Sequence, residues 1–193
     1  MNYLAHSFLS CQNEYILVGN ILGDLLKNRE LLQLSENYKK GIKIHRKIDF
    51  FTDHHSIHLE NLKHLYPSQG KYAPVVIDIY YDYFLGKHWE KFSDISQRIF
   101  CDKTYEVLLK HADSVPSKAS NIFRRMVEDD FLYSCQTIER LEKTFIMLMK
   151  RLSFPSNMEN AVQDLIVLES KMEPHFIHFF PEVILEIKRQ LDC

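Results

Sequence analysis

Most of the chain repeats apolar residues at steps of three and four positions, which is the spacing of one face of an α-helix. Residues 15–34 and 39–65 follow this spacing, and residues 73–89 form an apolar, aromatic-rich segment without a turn signal. The length of that segment favours a buried helix over a strand. The same spacing predicts further helices over residues 102–111, 117–134, 137–152, 157–172 and 181–191. The pattern therefore predicts an all-α chain.

Composition supports this prediction and limits the function classes. The 193 residues include only 5 Gly and 6 Pro, too few for a sandwich or barrel of many short strands. The length fits a single domain over residues 1–193, built as a helical bundle. A net charge of −2 creates no overall field toward nucleic acid or an anionic membrane, so we expect neither as a partner. A charged partner would have to meet a local patch.

The cysteines and the N-terminal sequence indicate in which cellular compartment the protein is expected. Cys11, Cys101, Cys135 and Cys193 are widely spaced and form no CxxC pair, so we interpret them as reduced thiols. The N-terminal segment MNYLAHSFLSC lacks the basic region and the uninterrupted apolar run of a secretory signal. The longest apolar stretch, residues 72–86, contains two aspartates and is too short to span a bilayer. These features predict a cytoplasmic protein.

Three of the predicted helices carry polar residues one turn apart on an apolar background. Residues four positions apart project from the same helix face, so each pair can direct two ligands at one point. Imidazole mixed with carboxylates suits Mn²⁺, Fe²⁺ or Mg²⁺ better than structural zinc, for which cysteine is expected. The pairs are Asn20 with Asp24, His45 with Asp49, and Asp78 with Asp82, and the second row continues to Asp53.

Asp78 is the most informative of these residues. Its neighbours in sequence are aliphatic, and a buried carboxylate without a cation is costly. The cation is either a Lys or Arg side chain or a metal, and three polar rows that include a histidine favour the metal. Arg46 follows His45 and projects about 100° away from it, within reach of an anionic substrate beside that metal. The other clustered histidines are expected to be exposed: His54, His55, His58 and His64.

Four longer motifs occur in the first half of the chain: MNYLAH (1–6), GNILGDLLK (19–27), GIKIHRKIDFFTDHH (41–55) and VVIDIYYDYFLGKHW (75–89). They resemble motifs of the acyl carrier protein phosphodiesterase family. The later segments MVEDDFLYS (126–134) and FFP (179–181) are also similar to that family. The resemblance therefore spans nearly the whole chain.

The resemblance implies an all-helical fold related to the HD-domain metal-dependent phosphohydrolases, without their adjacent His-Asp pair. It implies hydrolysis of the phosphodiester that joins 4′-phosphopantetheine to a serine of holo-acyl carrier protein, with a divalent cation that is typically Mn²⁺. One departure is Tyr83, where the family commonly has histidine; we interpret Tyr83 as a packing residue. The positions that match the family are Asn2, His6, Asn20, Asp24, His45, Arg46, Asp49, Asp53, Asp78 and Asp82.

These positions give a hypothesis for the mechanism. The metal would be held by Asp24, His45, Asp49 and Asp78, and would activate water and neutralise phosphodiester oxygens. The catalytic set would be Arg46, Asp82, His6 and Asn20: Arg46 would contact a non-bridging oxygen, and either Asp82 or His6 would orient the water or protonate the serine leaving group. Because acyl carrier proteins are acidic, the docking candidates are basic: Lys39, Lys40, Lys43, Lys47, Arg124 and Arg125.

Two other functions are compatible with the sequence. The first is a phosphohydrolase that acts on a nucleotide or another small phosphodiester, because a fold does not fix a substrate. The second is a helical module that binds acyl carrier protein without catalysis, an alternative that Tyr83 leaves open.

Overall fold

The computed structural model describes residues 1–11 and 13–191, and these residues form helices and short connections. The first six helices are α1 (Tyr3–Phe8), α2 (Glu14–Leu25), α3 (Asn28–Leu31), α4 (Glu36–His54), α5 (Ser56–Gln69) and α6 (Ala73–Lys87). They are followed by α7 (Gln97–His111), α8 (Ser117–Glu128), α9 (Phe131–Ser134), α10 (Ile138–Met149) and α11 (Ala161–Leu191). No strand occurs within the described ranges, so the predicted all-α class is confirmed.

Three of the predicted helices are each divided in two. Extended residues 26–27 separate α2 from α3. Extended backbone at His55 separates α4 from α5, and Nδ1 of His55 accepts a hydrogen bond from the Ile57 N–H (3.3 Å). A turn in which Asp130 has a φ of 45° separates α8 from α9. None of these breaks contains Gly or Pro, which is why the turn residues did not reveal them.

In contrast, the division into two predicted helices over residues 157–172 and 181–191 is wrong, because α11 continues through Pro174 and Pro181. A proline inside a helix removes a backbone hydrogen bond and costs about 3 kcal/mol. Phe176, Phe179 and Phe180 lie between or beside these prolines and are fully buried. Each such side chain contributes roughly 1.5–3 kcal/mol by burial, enough to offset the prolines and keep the helix continuous.

The apolar residues form two core clusters. The larger one includes Tyr80 and Phe84 of α6 and the buried phenylalanines of α11. The smaller one joins α2, the first turns of α4, and α7 and α8, with Phe123 fully buried in it. Residues of α1 and α6 belong to the larger cluster, and most of α2 belongs to the smaller one. The helix α4 contributes to both clusters. The helices α1, α2, α4 and α6 therefore meet where the two clusters adjoin.

The crossing of α2 and α4 requires glycine. A Cβ on Gly19 would lie 2.2 Å from the Tyr38 carbonyl oxygen, and a Cβ on Gly41 would lie 2.4 Å from the Ile16 carbonyl oxygen. Both obstacles are backbone atoms of the facing helix, so neither can move aside alone. The two glycines therefore allow a backbone approach that no other residue would permit, and this approach fixes the spacing of the polar rows on α2 and α4.

Two further expectations concern the cysteines and the membrane. Cys101 and Cys135 are free, as predicted, and both are buried. Cys11 is disulfide-bonded, so the interpretation as a reduced thiol is wrong there, and Cys193 lies outside the described residues. Within the described part of the chain, no helix combines the length and the apolar character needed to cross a bilayer.

Candidate metal centre and adjoining cavity

The three polar rows predicted from the sequence converge at one point, together with residues of α1. Ion pairs at or below 3.7 Å connect His6 of α1, Asp24 of α2, His45 and Asp49 of α4, and Asp78 of α6. The Met1 ammonium group links the last two carboxylates, at 2.8 Å from Asp78 Oδ1 and 3.7 Å from Asp49 Oδ1. The site is therefore built by four helices, and α1 is the one that periodicity did not predict.

Hydrogen bonds fix the tautomer of His6. The Asn20 amide donates through Nδ2 to the His6 carbonyl oxygen (2.8 Å) and to the Ser10 hydroxyl (3.1 Å), which orients its Oδ1 toward the imidazole. His6 Nδ1 lies 2.7 Å from that Oδ1, an atom that can only accept. The proton of the neutral ring is therefore on Nδ1, which leaves a lone pair on Nε2.

The Nε2 lone pair of His6 faces two further acceptors. It lies 3.2 Å from the Met1 carbonyl oxygen and 3.2 Å from Asp49 Oδ1. A cation between these lone pairs would offset their mutual repulsion. A proton is disfavoured, because burial lowers the pKa of His6 and the nearby His45 and Met1 ammonium lower it further, against the opposing effect of Asp49. The surroundings of Nε2 therefore fit a metal ion.

His45 lies beside His6, with the two rings stacked at a centroid separation of 4.2 Å. Its Nε2 lies 3.0 Å from Asp49 Oδ2 and 3.4 Å from Asp24 Oδ1. Burial by itself would lower the pKa of His45, but the two carboxylates outweigh it and raise the pKa to about 9. Gly23 makes room for this ring, since a Cβ there would lie 2.5 Å from it.

Asp49 connects the two histidines, one through each carboxylate oxygen. Although burial opposes ionisation, the hydrogen bond from His45 and the nearby Met1 ammonium hold the pKa of Asp49 well below its usual range, so it remains a carboxylate. Each of His6, His45 and Asp49 offers one ligand atom, and these atoms lie within 4.8 Å of one another. This triad is able to hold a divalent metal, in agreement with the predicted class of cofactor.

Asp24 and Asp78 flank the triad and are partly exposed, at 37% and 31% of their side-chain surface. The cation beside Asp78 is the Met1 ammonium, which is neither of the two predicted kinds of cation; its pKa is raised to about 10 because Asp78, Asp49 and Asp24 outweigh the effect of its burial. Neither a Lys nor an Arg side chain forms an ion pair with Asp78 in the described residues. Both carboxylates line an adjoining cavity.

Asp82 does not point at the same site as Asp78, although the two residues lie one turn apart on α6. It is fully buried, and its two oxygens accept hydrogen bonds from the backbone N–H groups of Leu4 (2.8 Å) and Ala5 (2.9 Å). Burial raises the pKa of Asp82 to about 7 despite these two donors. Asp82 thus anchors the first turn of α1, the helix that carries His6, and it does not line the cavity.

Arg46 is exposed, donates to Asn28 Oδ1 (3.0 Å), and is not part of the cavity wall that contains Asp24 and Asp78. Its contact with a substrate anion therefore stays a prediction.

Tyr83 is buried against Phe84 and donates to Glu169 Oε1 of α11 (3.0 Å), which is the packing position expected for it.

His58 is buried, so the prediction that it is exposed is wrong. The break at His55 starts a new helix, which turns His58 toward α6, with Nδ1 at 3.3 Å from the Tyr81 hydroxyl. Burial lowers the pKa of His58 to about 4. Its Nε2 lies 3.9 Å from the carboxylate of Asp53, which itself is 60% exposed. Of the other three, His54 is exposed and His55 and His64 are partly buried.

The cavity has a volume of about 360 Å³ and opens beside the carboxylates. It is also lined by Arg140 and Arg151, which the sequence analysis did not single out. A signal for them existed, because Arg140, Thr144, Met147, Leu148 and Arg151 follow one another at steps of 4, 3, 1 and 3 residues and share one face of α10 and the turn after it.

The predicted docking residues lie on two helices. Lys40, Lys43 and Lys47 are exposed on α4, and Lys39 is partly buried beside Glu36. Arg124 and Arg125 are exposed on α8, where Arg124 pairs with Asp113 (2.9 Å).

Comparisons with known proteins cover almost the whole chain. The model of the family described as acyl carrier protein phosphodiesterase matches residues 1–183. A protein named acyl carrier protein phosphodiesterase from Salmonella paratyphi A is 25% identical over 98% of this chain and 99% of its own length. Proteins of the same name from Klebsiella pneumoniae and Serratia proteamaculans are 23% and 22% identical, over 95% and 97% of this chain and 96% and 98% of their own lengths. No solved structure matches the chain significantly.

Proposed function

The chain belongs to the acyl carrier protein phosphodiesterase family, and we propose that it hydrolyses the phosphodiester between 4′-phosphopantetheine and the serine of holo-acyl carrier protein. The products are apo-acyl carrier protein and 4′-phosphopantetheine. The main support is the position of His6 Nε2, which lies between acceptor oxygens next to Asp49 and His45 and so favours a bound cation. Metal-dependent cleavage of a phosphodiester is chemistry that such a centre can perform.

We propose that His6, His45 and Asp49 hold the metal, with Asp24 and Asp78 close enough to complete its ligands. Imidazole with carboxylate suits Mn²⁺, and also Fe²⁺ or Mg²⁺. When bound, the divalent cation supplies positive charge for the phosphodiester oxygens and for the activation of water. Asn20 then acts through His6: by accepting the Nδ1 proton it keeps Nε2 directed at the centre.

The remaining residues position these groups or bring the protein substrate to them. Asp82 holds α1, and thereby His6, against α6 through the Leu4 and Ala5 amides. For the acidic carrier protein we propose that the exposed lysines of α4 form a docking surface, since opposite charges accelerate encounter. The relationship to HD-domain proteins stays a prediction.

The direct test incubates purified protein with holo-acyl carrier protein and measures the mass of the carrier protein with Mn²⁺ and with a chelator. We expect loss of the phosphopantetheine group only when Mn²⁺ is present. Hydrolysis of a nucleotide or small phosphodiester with an unchanged carrier protein would support the broader phosphohydrolase alternative. Tight binding of the carrier protein without any mass change would instead support a non-catalytic module.

Metal affinity should depend strongly on pH. The raised pKa of His45, about 9, means that the metal-free protein is protonated there at neutral pH, and this proton has to leave before Nε2 can bind a cation. The apparent affinity for Mn²⁺ should therefore rise about tenfold per pH unit between about pH 6 and about pH 8. Calorimetric titrations at several pH values would measure it, and an affinity that is flat over this range would contradict the assignment of His45 as a ligand.

A further inference from the structure

The cavity beside the candidate metal centre has walls of different chemistry. Asp24 and Asp78 line it, and so do Arg140 and Arg151 from the face of α10 and the turn after it. An anionic substrate that approached only the carboxylates would be repelled. Together with the Met1 ammonium, which pairs with Asp78, the two guanidinium groups supply positive charge that offsets this repulsion.

Arg151 is available for a ligand. It is exposed, and no ion pair or hydrogen bond of its side chain occurs within residues 1–11 and 13–191. Its charge acts on Tyr3: burial raises the pKa of Tyr3, Asp24 raises it further, and Arg151 lowers it. Tyr3, Asp24 and Arg151 all line the cavity.

Arg140, in contrast, is held in place. Its Nε donates to the Ser134 hydroxyl (2.7 Å), Nη2 donates to the Asp129 carbonyl oxygen, and the guanidinium lies over the Phe131 ring at 5.6 Å. These contacts fix a positive charge in the wall and order the turn between α8 and α10. Arg140 thus supplies a preorganised charge, whereas Arg151 is free to contact a ligand.

An apolar strip lies next to the two arginines. Val75 and Met147 are 42% and 45% exposed, and both line the cavity together with Ile79 and Leu148. Exposed aliphatic side chains beside paired cationic groups fit a ligand that joins an anionic phosphate to a long, largely uncharged arm.

We propose that Arg151, supported by the fixed charge of Arg140, binds the phosphate oxygens of the substrate, and that the strip of Val75, Ile79, Met147 and Leu148 receives the pantetheine arm. This proposal rests on the proposed function and assigns substrate specificity to α6, α10 and the turn after α10. Arginine presents paired N–H donors that match phosphate oxygens, and such charge-assisted bonds are among the stronger ones in proteins.

The test compares Arg151→Gln and Arg151→Lys with the matched control Lys150→Gln. Lys150 is exposed, adjacent in sequence, and not part of the cavity wall, so its substitution makes the same change in net charge away from the ligand. We expect Arg151→Gln to weaken binding of free 4′-phosphopantetheine to the Mn²⁺-loaded protein at least about tenfold, with a similar loss of kcat/KM for holo-acyl carrier protein. Arg151→Lys should recover part of both, and Lys150→Gln should match the unsubstituted protein.

The two readouts separate this proposal from the proposed function. If the unsubstituted protein releases phosphopantetheine but Arg151→Gln behaves like Lys150→Gln in both assays, the role of Arg151 is wrong and the function stands. If the unsubstituted protein does not act on holo-acyl carrier protein, the function is wrong, and the titration with 4′-phosphopantetheine still decides whether Arg151 binds it. Circular dichroism of each variant establishes that a loss is not caused by unfolding.

Discussion

Replacement of Asp49 with Asn is expected to abolish tight Mn²⁺ binding and to reduce turnover of holo-acyl carrier protein on the order of a hundredfold or more. Asp49 is the residue in direct contact with both histidines, through Oδ1 to His6 (3.2 Å) and Oδ2 to His45 (3.0 Å). Asparagine has the same shape but exchanges one anionic oxygen for an amide donor, which cannot bind a cation. The substitution therefore removes a ligand with little change in packing.

The matched control is Asp94→Asn, which makes the same chemical change at an exposed residue that does not belong to the centre. Calorimetry with Mn²⁺, the mass assay of the carrier protein and a thermal melt in chelator would be measured for both variants. We expect Asp94→Asn to behave like the unsubstituted protein. An Asp49→Asn variant that bound Mn²⁺ normally and kept its activity would show that the metal, if required, is held elsewhere.

The sequence predicted the parts of this centre that follow helical periodicity. Asn20 with Asp24 and His45 with Asp49 lie one turn apart on α2 and α4, and the structure places both pairs at one point. Asp78 joins them, as the aliphatic residues around it indicated. Spacing along one helix was sufficient here, because each pair lies on a regular α-helix.

The remaining parts depend on contacts between segments that are distant in sequence. Asp82 shares the spacing of Asp78 but accepts from amides of α1, 77 and 78 residues away, so its row alone does not disclose its position. His58 became buried because a helix broke without Gly or Pro. The role of α1 was also hidden, since it is only 6 residues long and its polar residues show no repeat.

The largest effect on stability is expected from Gly41→Ala. In an isolated helix this change would be favourable by roughly 0.5–1 kcal/mol. Here the new Cβ would lie 2.4 Å from the Ile16 carbonyl oxygen and 2.7 Å from the Gly19 Cα, so α2 and α4 would have to separate. Overpacking of this kind costs about 2 kcal/mol or more, which corresponds to a fall in Tm of about 4–8 °C for a chain of this size.

Because the same crossing sets the distance between the two polar rows, Gly41→Ala should also weaken Mn²⁺ binding. Gly41, His45 and Asp49 follow one another at steps of four residues on α4, so a shift at Gly41 moves the ligands away from Asp24. Thermal melts and Mn²⁺ titrations would be compared with Lys40→Ala, an exposed neighbour at which alanine meets no facing backbone. If Gly41→Ala were as stable as Lys40→Ala and bound Mn²⁺ equally well, the close backbone crossing would not be what holds the ligands of α2 and α4 together.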